Sequence, residues 1–120
     1  MIHIITIKHL KDFGDEHPQY LVAIETWTAL VRFCTWEKPQ DMVNEFGPKA
    51  VDLLGKKDKK SESSNRVVFD LKGNHLRLIF KYQFHPTLKK SRLYLKWIGT
   101  HKQYTALCKK NEQYDVDMFN

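Results

Sequence analysis

The spacing of apolar residues changes midway along the chain, and this change constrains the fold more than any other feature. From Tyr20 to Trp36, apolar residues recur at steps of three and four, which is typical of an amphipathic helix. After residue 64 they alternate with polar residues, which is typical of strands with one buried face. The sequence therefore predicts helices in the first half of the chain and a sheet in the second.

The first half is predicted to hold one strand and a series of helices. The β-branched run Ile2–Ile7 favours a strand. A helix over Lys8–Glu16 ends where a proline follows, because the residue before proline avoids the helical region. The Tyr20–Trp36 helix stops before a second proline, and Asp41–Phe46 adds one more helical turn. At helical spacing, Trp27 and Trp36 are predicted to lie in the core.

The second half is predicted to form three strands. Residues 67–72 and 76–81 alternate on either side of a Gly-Asn pair that suits a tight hairpin turn. A third strand covers Ser91–Gly99, after a turn over residues 86–90. A regular strand places Arg77 and Lys81 on one face of the sheet. In the third strand, one face is predicted to carry Arg92, Tyr94, Lys96 and Ile98, and the opposite face Leu93, Leu95 and Trp97. One sheet face is thus predicted to pack on the helices, and the other to be basic and aromatic.

Charge is distributed unevenly along the chain. Residues 1–55 hold five Lys or Arg and eight Asp or Glu, residues 56–110 hold fifteen and three, and residues 111–120 hold none and three. The predicted sheet and its loops therefore carry a net charge of +12, and the −3 of each flanking segment brings the whole chain to +6. Such a one-sided basic field favours a polyanionic partner, and nucleic acid is the commonest. The alternative is a basic protein whose lysines are merely solvated.

Composition excludes several other classes of protein. A chain of 120 residues predicts one domain, with a mobile basic loop at 56–64 and an acidic tail at 111–120. Cys34 and Cys108 have no metal-binding spacing and are predicted to be free thiols in a reducing cytosol. No apolar run approaches the roughly 18 residues of a membrane span, and the first residues do not resemble a signal peptide. The six histidines are scattered, so neither a metal nor a cofactor is expected.

The central motif carries a family resemblance. Residues 65–104 resemble the HigB-type toxins of the RelE superfamily, whose pattern is N-R-V-V-F-N-I-x-G-N-x-Y-R-L-I, then a strand, then G-T-H-x-x-Y-D. The matching positions are Asn65 to Phe69, Gly73, Asn74, Arg77, Leu78, Ile79, Lys81, Gly99, Thr100, His101 and Tyr104, with Trp27, Trp36, Asp41, Phe46 and Ala50 upstream. The departures are Asp70 for Asn, Leu76 for an aromatic residue, Lys96 for Arg and Thr105 for Asp.

The resemblance implies a fold, an activity and partners. The fold is α+β, with N-terminal helices on one face of a small, mainly antiparallel β-sheet and a C-terminal helix. The activity is that of the toxin in a type II toxin–antitoxin system, a cytoplasmic and metal-independent endoribonuclease that cuts mRNA in the ribosomal A site. The partner that neutralises it is a HigA-type helix-turn-helix antitoxin, and no membrane is involved.

The resemblance also supplies candidate site residues, each with an alternative. Arg77 is expected to stabilise the phosphate, unless it only pairs with Asp70 across the hairpin. Lys81 and Lys96 add positive charge or remain solvated. His101 suits proton transfer, unless it and Thr100 serve as a helix cap or core hydrogen bond. Tyr104 either meets the RNA or packs as a core aromatic. The residues expected to bind RNA are Arg66, Lys72, Lys89, Lys90 and Arg92.

Two other hypotheses remain open from the sequence. In the first, the basic face belongs to a module that binds RNA or DNA without cleaving it. Alternatively, the chain is a decayed toxin that retains only antitoxin binding.

Overall fold

The computed structural model describes residues 1–71, 73, 75–85, 87 and 90–119. These residues form a five-stranded mixed sheet and four α-helices. The elements in chain order are β1 (Ile2–Ile5), α1 (Ile7–Glu16), α2 (Leu21–Arg32), α3 (Pro39–Phe46), β2 (Val51–Leu53), β3 (Arg66–Leu71), β4 (Leu76–His85), β5 (Lys90–Thr100) and α4 (His101–Lys109), with a 3-10 turn at Pro18–Tyr20 between α1 and α2. The predicted α+β class, with helices before a mainly antiparallel sheet and a helix after it, is confirmed.

The strands lie side by side in the order β1-β5-β4-β3-β2. The three pairs among β2, β3, β4 and β5 are antiparallel, and only β1 runs parallel to its neighbour β5. β1 pairs with residues 91–94 of β5, and no other described strand pairs with the later part of β5 on that side. Within the described part of the chain, no helix is long and apolar enough to cross a membrane.

One face of the sheet packs on α1, α2 and α3; we call it the helix face. Its core joins helix residues such as Leu10, Ile24 and Met42 to alternate residues of the strands. Aromatic rings fill the centre, where Trp27 stacks on Phe80 with ring centroids 5.3 Å apart. The apolar positions of β3 and β4 that the alternation assigned to this face all lie in it.

The opposite face, the α4 face, is covered by α4 and the acidic tail. Its core is small: Val68, Ile79, Trp97 and Tyr104 are buried there, with Leu54, Leu107, Cys108 and Val116 packed around them. The face is therefore closed at its centre by apolar contacts. The basic residues predicted to lie on it surround this small core.

A β-bulge in β5 overturns the predicted faces of two residues. Ile79 pairs with Trp97, but the next residue, Phe80, pairs with Leu95, so Lys96 is the extra residue. Beyond Lys96 the alternation is reversed. Trp97 consequently packs on the α4 face, and Ile98, which was predicted to lie there, is buried in the helix face.

Two predicted elements are shorter than expected. β1 ends at Ile5, because Thr6 has a left-handed φ of 66° before α1 begins. α2 ends at Arg32, so Trp36 lies beyond it. The main-chain carbonyl of Trp36 accepts a 3.0 Å hydrogen bond from the Ser91 hydroxyl, and the Trp36 side chain is buried as predicted. Tertiary packing rather than the helical period thus fixes the end of α2.

Two loops frame the α4 face. Residues 55–64 form a loop that is closed by a bridge between Lys56 and Ser63 and by a 2.8 Å bond from Ser64 N to Gly55 O. Gly73 has a left-handed φ of 61° in the turn between β3 and β4, which suits the predicted glycine turn.

Cys34 and Cys108 are free thiols, as predicted.

Candidate functional site

The first group of candidate side chains lies where β3 and β4 approach their turn. Asp70 and Arg77 are cross-strand partners, and Arg77 Nε lies 2.6 Å from Asp70 Oδ1. Only 15% of the Arg77 side chain and 17% of the Asp70 side chain are exposed. Burial raises the pKa of Asp70, while the positive charge of Arg77 opposes that shift. The ion pair therefore holds the guanidinium in a largely desolvated position.

The aromatic ring of Tyr104 packs beside this ion pair. Arg77 Cζ lies 5.0 Å from the centroid of the Tyr104 ring, within the range of a cation–π interaction. The ring also packs against Trp97, with centroids 6.0 Å apart. Tyr104 is only 8% exposed, and burial raises its pKa well above the usual range for a tyrosine. The ring is thus a packed aromatic, as the alternative interpretation held, and not a surface platform for a base.

Gly99 allows α4 to start directly against β5. A Cβ atom at this position would lie 2.6 Å from Cη2 of Trp97 and 2.7 Å from Oε1 of Gln103. Real Cβ atoms do not approach other heavy atoms so closely, so a side chain here would push both groups away. The absence of a side chain brings the first turn of α4 close to Arg77, the register partner of Gly99.

A reciprocal cap fixes that first turn. Thr100 Oγ1 accepts a 3.2 Å bond from Gln103 N, and Gln103 Oε1 accepts a 2.9 Å bond from Thr100 N. His101, the first residue of α4, is exposed to solvent. The charge of His101, like that of Arg77, opposes the rise in the pKa of Asp70 that burial causes, so His101 lies within electrostatic range of that carboxylate. We call Asp70, Arg77, His101 and Tyr104 the Arg77 cluster.

The second group lies further along the α4 face, under the acidic tail. Arg66 is only 6% exposed, and its Nη1 donates to the carbonyl oxygens of Gln113 and Val116, at 3.2 and 2.7 Å. Burial lowers the pKa of Arg66. The guanidinium is therefore held by main-chain oxygens of the tail.

Two lysines complete this group. Lys96 Nζ lies 3.0 Å from Asp117 Oδ2, and Lys57, in the 55–64 loop, pairs with Asp115. The hydrogen bond that Lys57 donates to Asp115 raises the pKa of Lys57. We call Lys57, Arg66 and Lys96 the tail-covered strip.

The structure thus divides the predicted catalytic residues. Arg77, His101 and Tyr104 are brought together, whereas Lys96 belongs to the tail-covered strip. Lys81 is exposed on the α4 face opposite Arg66. It lies four residues from Arg77 along β4, or about 13 Å at the usual rise of a strand.

The predicted RNA-binding residues have varied positions. Arg66 is buried by the tail, and Arg92 is half-buried on β5 opposite Gln83. Lys72 and Lys89 lie outside the described residues. For Lys90, the description covers only its place at the start of β5.

Sequence reasoning missed several parts of this site. It assigned Trp97 to the helix face, and it gave no role to Gln103, although Thr-x-x-Gln is a recognisable capping box. It also did not identify the carbonyls of Gln113 and Val116 as partners of Arg66. Main-chain oxygens occur in every residue, so the sequence carries no signal for that contact.

Comparisons with known proteins agree with the resemblance described above. A search of curated proteins gives no match. A family model described as HigB_toxin, RelE-like toxic component of a toxin-antitoxin system, matches residues 21–107. The match covers most of the chain, including α2, the whole β2–β5 part of the sheet and most of α4. The chain therefore belongs to the HigB toxin family, the RelE-like toxic components of toxin–antitoxin systems, and an antitoxin is its partner.

Proposed function

We propose that this toxin is an endoribonuclease that cleaves mRNA on the ribosome. The observation that carries the proposal is the Arg77 cluster, in which a positioned guanidinium and an exposed imidazole both interact with the carboxylate of Asp70, on a strongly basic half of the chain. A guanidinium suits the oxygens of a phosphate, and an imidazole suits proton transfer near neutral pH. RNA cleavage by internal attack requires both kinds of group.

In the proposed reaction the nucleophile comes from the RNA itself. A base removes the proton of a 2′-OH, whose oxygen attacks the adjacent phosphorus, and the 5′-oxygen leaves with a proton. The products are a 2′,3′-cyclic phosphate and a 5′-hydroxyl end. Since side chains supply the proton transfer and the charge stabilisation, the proposed reaction is independent of metal ions.

Each member of the Arg77 cluster has a proposed role. Arg77 stabilises the charge of the five-coordinate phosphate, and His101 transfers a proton. Asp70 and Tyr104 are positioning residues, because they hold the guanidinium by an ion pair and by a cation–π contact. Lys81 adds positive charge from its exposed place on the same face.

The wider setting also belongs to the proposal. We propose that the antitoxin is a HigA-type helix-turn-helix protein, that the substrate is mRNA in the ribosomal A site, and that the toxin acts in the cytoplasm. The resemblance over residues 65–104 and the family match over residues 21–107 support this setting.

The test is expression of the toxin in cells, followed by primer extension on a translated reporter mRNA. Wild type is expected to arrest growth and to create new 5′ ends within codons, and Arg77→Ala is expected to do neither. The matched control is Arg32→Ala, which removes the same charge from an exposed position on α2. A folded Arg77→Ala protein with full toxicity would refute the assignment of Arg77.

A second candidate function is a non-catalytic one, either nucleic-acid binding or antitoxin binding by a decayed toxin. It is favoured by the engagement of Arg66, Arg77 and Lys96 with oxygens of the chain itself. This candidate predicts RNA retention or antitoxin binding with an intact reporter message, for wild type as for Arg77→Ala. New ends within codons would exclude it.

A further inference from the structure

The acidic tail is attached to the α4 face by contacts of several kinds. Its main chain accepts two hydrogen bonds from Arg66, and its Asp115 and Asp117 pair with Lys57 and Lys96. At the bulge, Met118 N donates a 2.8 Å bond to the carbonyl of Lys96, on the part of β5 that β1 does not cover. The tail therefore binds the three cationic side chains and also covers the open edge of the sheet.

The end of the described tail reaches the other side of the molecule. The ring of Phe119 stacks on His9 of α1, with centroids 4.6 Å apart and planes 17° apart. This contact anchors the tail beyond the tail-covered strip. The tail thus crosses the strip as a strap that is held at more than one point.

The groups that hold the tail are those that an RNA backbone would use. Nη1 of Arg66 donates to two oxygens, as a guanidinium does with a phosphate, and each lysine meets one carboxylate oxygen. The tail places three negatively charged residues in a segment with no Lys or Arg. It offers these cations the same chemistry as a short stretch of phosphates.

The strip and the Arg77 cluster lie on one continuous surface. Arg66 is the cross-strand partner of Lys81, which shares the α4 face of β4 with Arg77. A strand of RNA bound at Arg77 and continued along β4 would therefore arrive at Lys81 and then at Arg66. At this point it would meet the tail.

The closed tail also contains features that favour its release. The Lys57–Asp115 pair is well exposed, and the Lys96–Asp117 pair is about one quarter exposed, so salt screens both. The side-chain oxygen of Gln113 is buried and has no hydrogen-bond partner among the described residues. A buried acceptor without a partner destabilises the state that contains it.

From these contacts we propose that the tail-covered strip is a second RNA phosphate subsite, and that the acidic tail is its intramolecular competitor. The inference rests on the proposed function, because it assigns the strip to the same RNA substrate. RNA and tail exclude one another at Lys57, Arg66 and Lys96. When a site is open for only a fraction of the time, its apparent Kd is the intrinsic Kd of the open site divided by that fraction.

The test measures binding of a single-stranded RNA oligonucleotide whose 2′-hydroxyls are methylated, so that it is not cleaved. The first variant is Asp115→Asn with Asp117→Asn, which removes both carboxylates and keeps the packing of the tail. We expect it to bind roughly tenfold more tightly than wild type at low salt, since the strip is open more often. The matched control is Glu16→Gln with Glu25→Gln, which changes the net charge equally at exposed positions on α1 and α2. It should bind like wild type.

The second variant ends the chain at Lys110 and frees all three cations. Each phosphate contact on a single strand contributes about 0.7 to the slope of log affinity against log salt. The slope should therefore be steeper than that of wild type by roughly 2. Thermal unfolding of both variants checks that the sheet is intact.

The outcomes separate this inference from the proposed function. Equal affinity and equal slope in wild type and both variants would overturn the competitor role while RNA binding itself stands. Unchanged RNA affinity with tighter binding of an acidic peptide would overturn the RNA assignment of the strip in favour of a protein partner. No RNA binding by any of these proteins would overturn the strip as an RNA subsite, whereas the proposed cleavage is decided by the translated reporter mRNA.

Discussion

The two faces of the sheet differ in how they are closed. The helix face is a broad apolar core in which three helices pack on the sheet, and most of its residues are buried completely. Among the described residues, the α4 face has four buried hydrophobic ones, and charged side chains surround them. The difference indicates that the helix face supplies stability, whereas the α4 face holds ionisable groups at fixed positions.

The largest expected effect comes from neighbouring residues on the two faces. Phe80 is fully buried on the helix face, and Lys81 is exposed on the other. Phe80→Ala should lower the free energy of unfolding by about 3–5 kcal/mol, because it leaves a cavity in the aromatic core. Lys81→Ala should change it by less than about 0.5 kcal/mol. Urea denaturation measures both, and similar values for the two variants would remove the distinction between the faces.

A smaller effect is expected at Gly99, where the α4 face is tightest. Gly99→Ala places a methyl group against Trp97 and Gln103, so α4 must shift away from β5. We expect a loss of about 1–3 kcal/mol in the free energy of unfolding. Thr105→Ala, at an exposed position of the same helix, is the control. A Gly99→Ala protein as stable as wild type would mean that α4 is not packed as closely as described.

The smallest effect concerns the pH dependence of stability at Asp70. Its pKa is raised in the folded state by burial, so the folded protein binds this proton more tightly than the unfolded chain does. Asp70 therefore contributes to the free energy of unfolding at pH values below the ordinary pKa of an aspartate. This contribution is lost as the pH rises through the raised pKa of Asp70 in the folded protein. Asp70→Asn should remove that loss.

The measurement is the free energy of unfolding of wild type and Asp70→Asn across this pH window. The difference between the two should change in favour of the variant as the pH rises. A constant difference would mean that burial does not shift the pKa of Asp70. Asp12→Asn, on an exposed part of α1, is the control for the loss of one carboxylate.

The sequence predicted the helix face better than the α4 face, and the reason is physical. Alternation identifies a continuous apolar face, so the inward positions of β3 and β4 were correct. The bulge at Lys96 breaks the period of two, and nothing in the local sequence marks it. The strand β2 is three residues long, too short for a periodic pattern to be recognised.

The candidate site was predicted only in part for a related reason. The motif placed Arg77, His101 and Tyr104 in one site, and the structure brings these three together. It also joined Lys96 to them, but the bulge and the acidic tail place that lysine in the tail-covered strip. The path of the tail depends on contacts between residues far apart in the chain, such as Arg66 with Val116, and a sequence pattern does not contain them.

The most direct test of the central claim is cleavage of mRNA on purified ribosomes, with the new ends mapped and their chemistry determined. The account predicts 5′-hydroxyl ends with wild type and a cleavage rate roughly 100-fold lower with Arg77→Ala, because the phosphate loses its main charge partner. The cleavage rate of Arg77→Lys should lie between those of wild type and Arg77→Ala, since lysine keeps the charge but lacks the paired N–H donors of a guanidinium. Cleavage by Arg77→Ala at the wild-type rate would contradict the account.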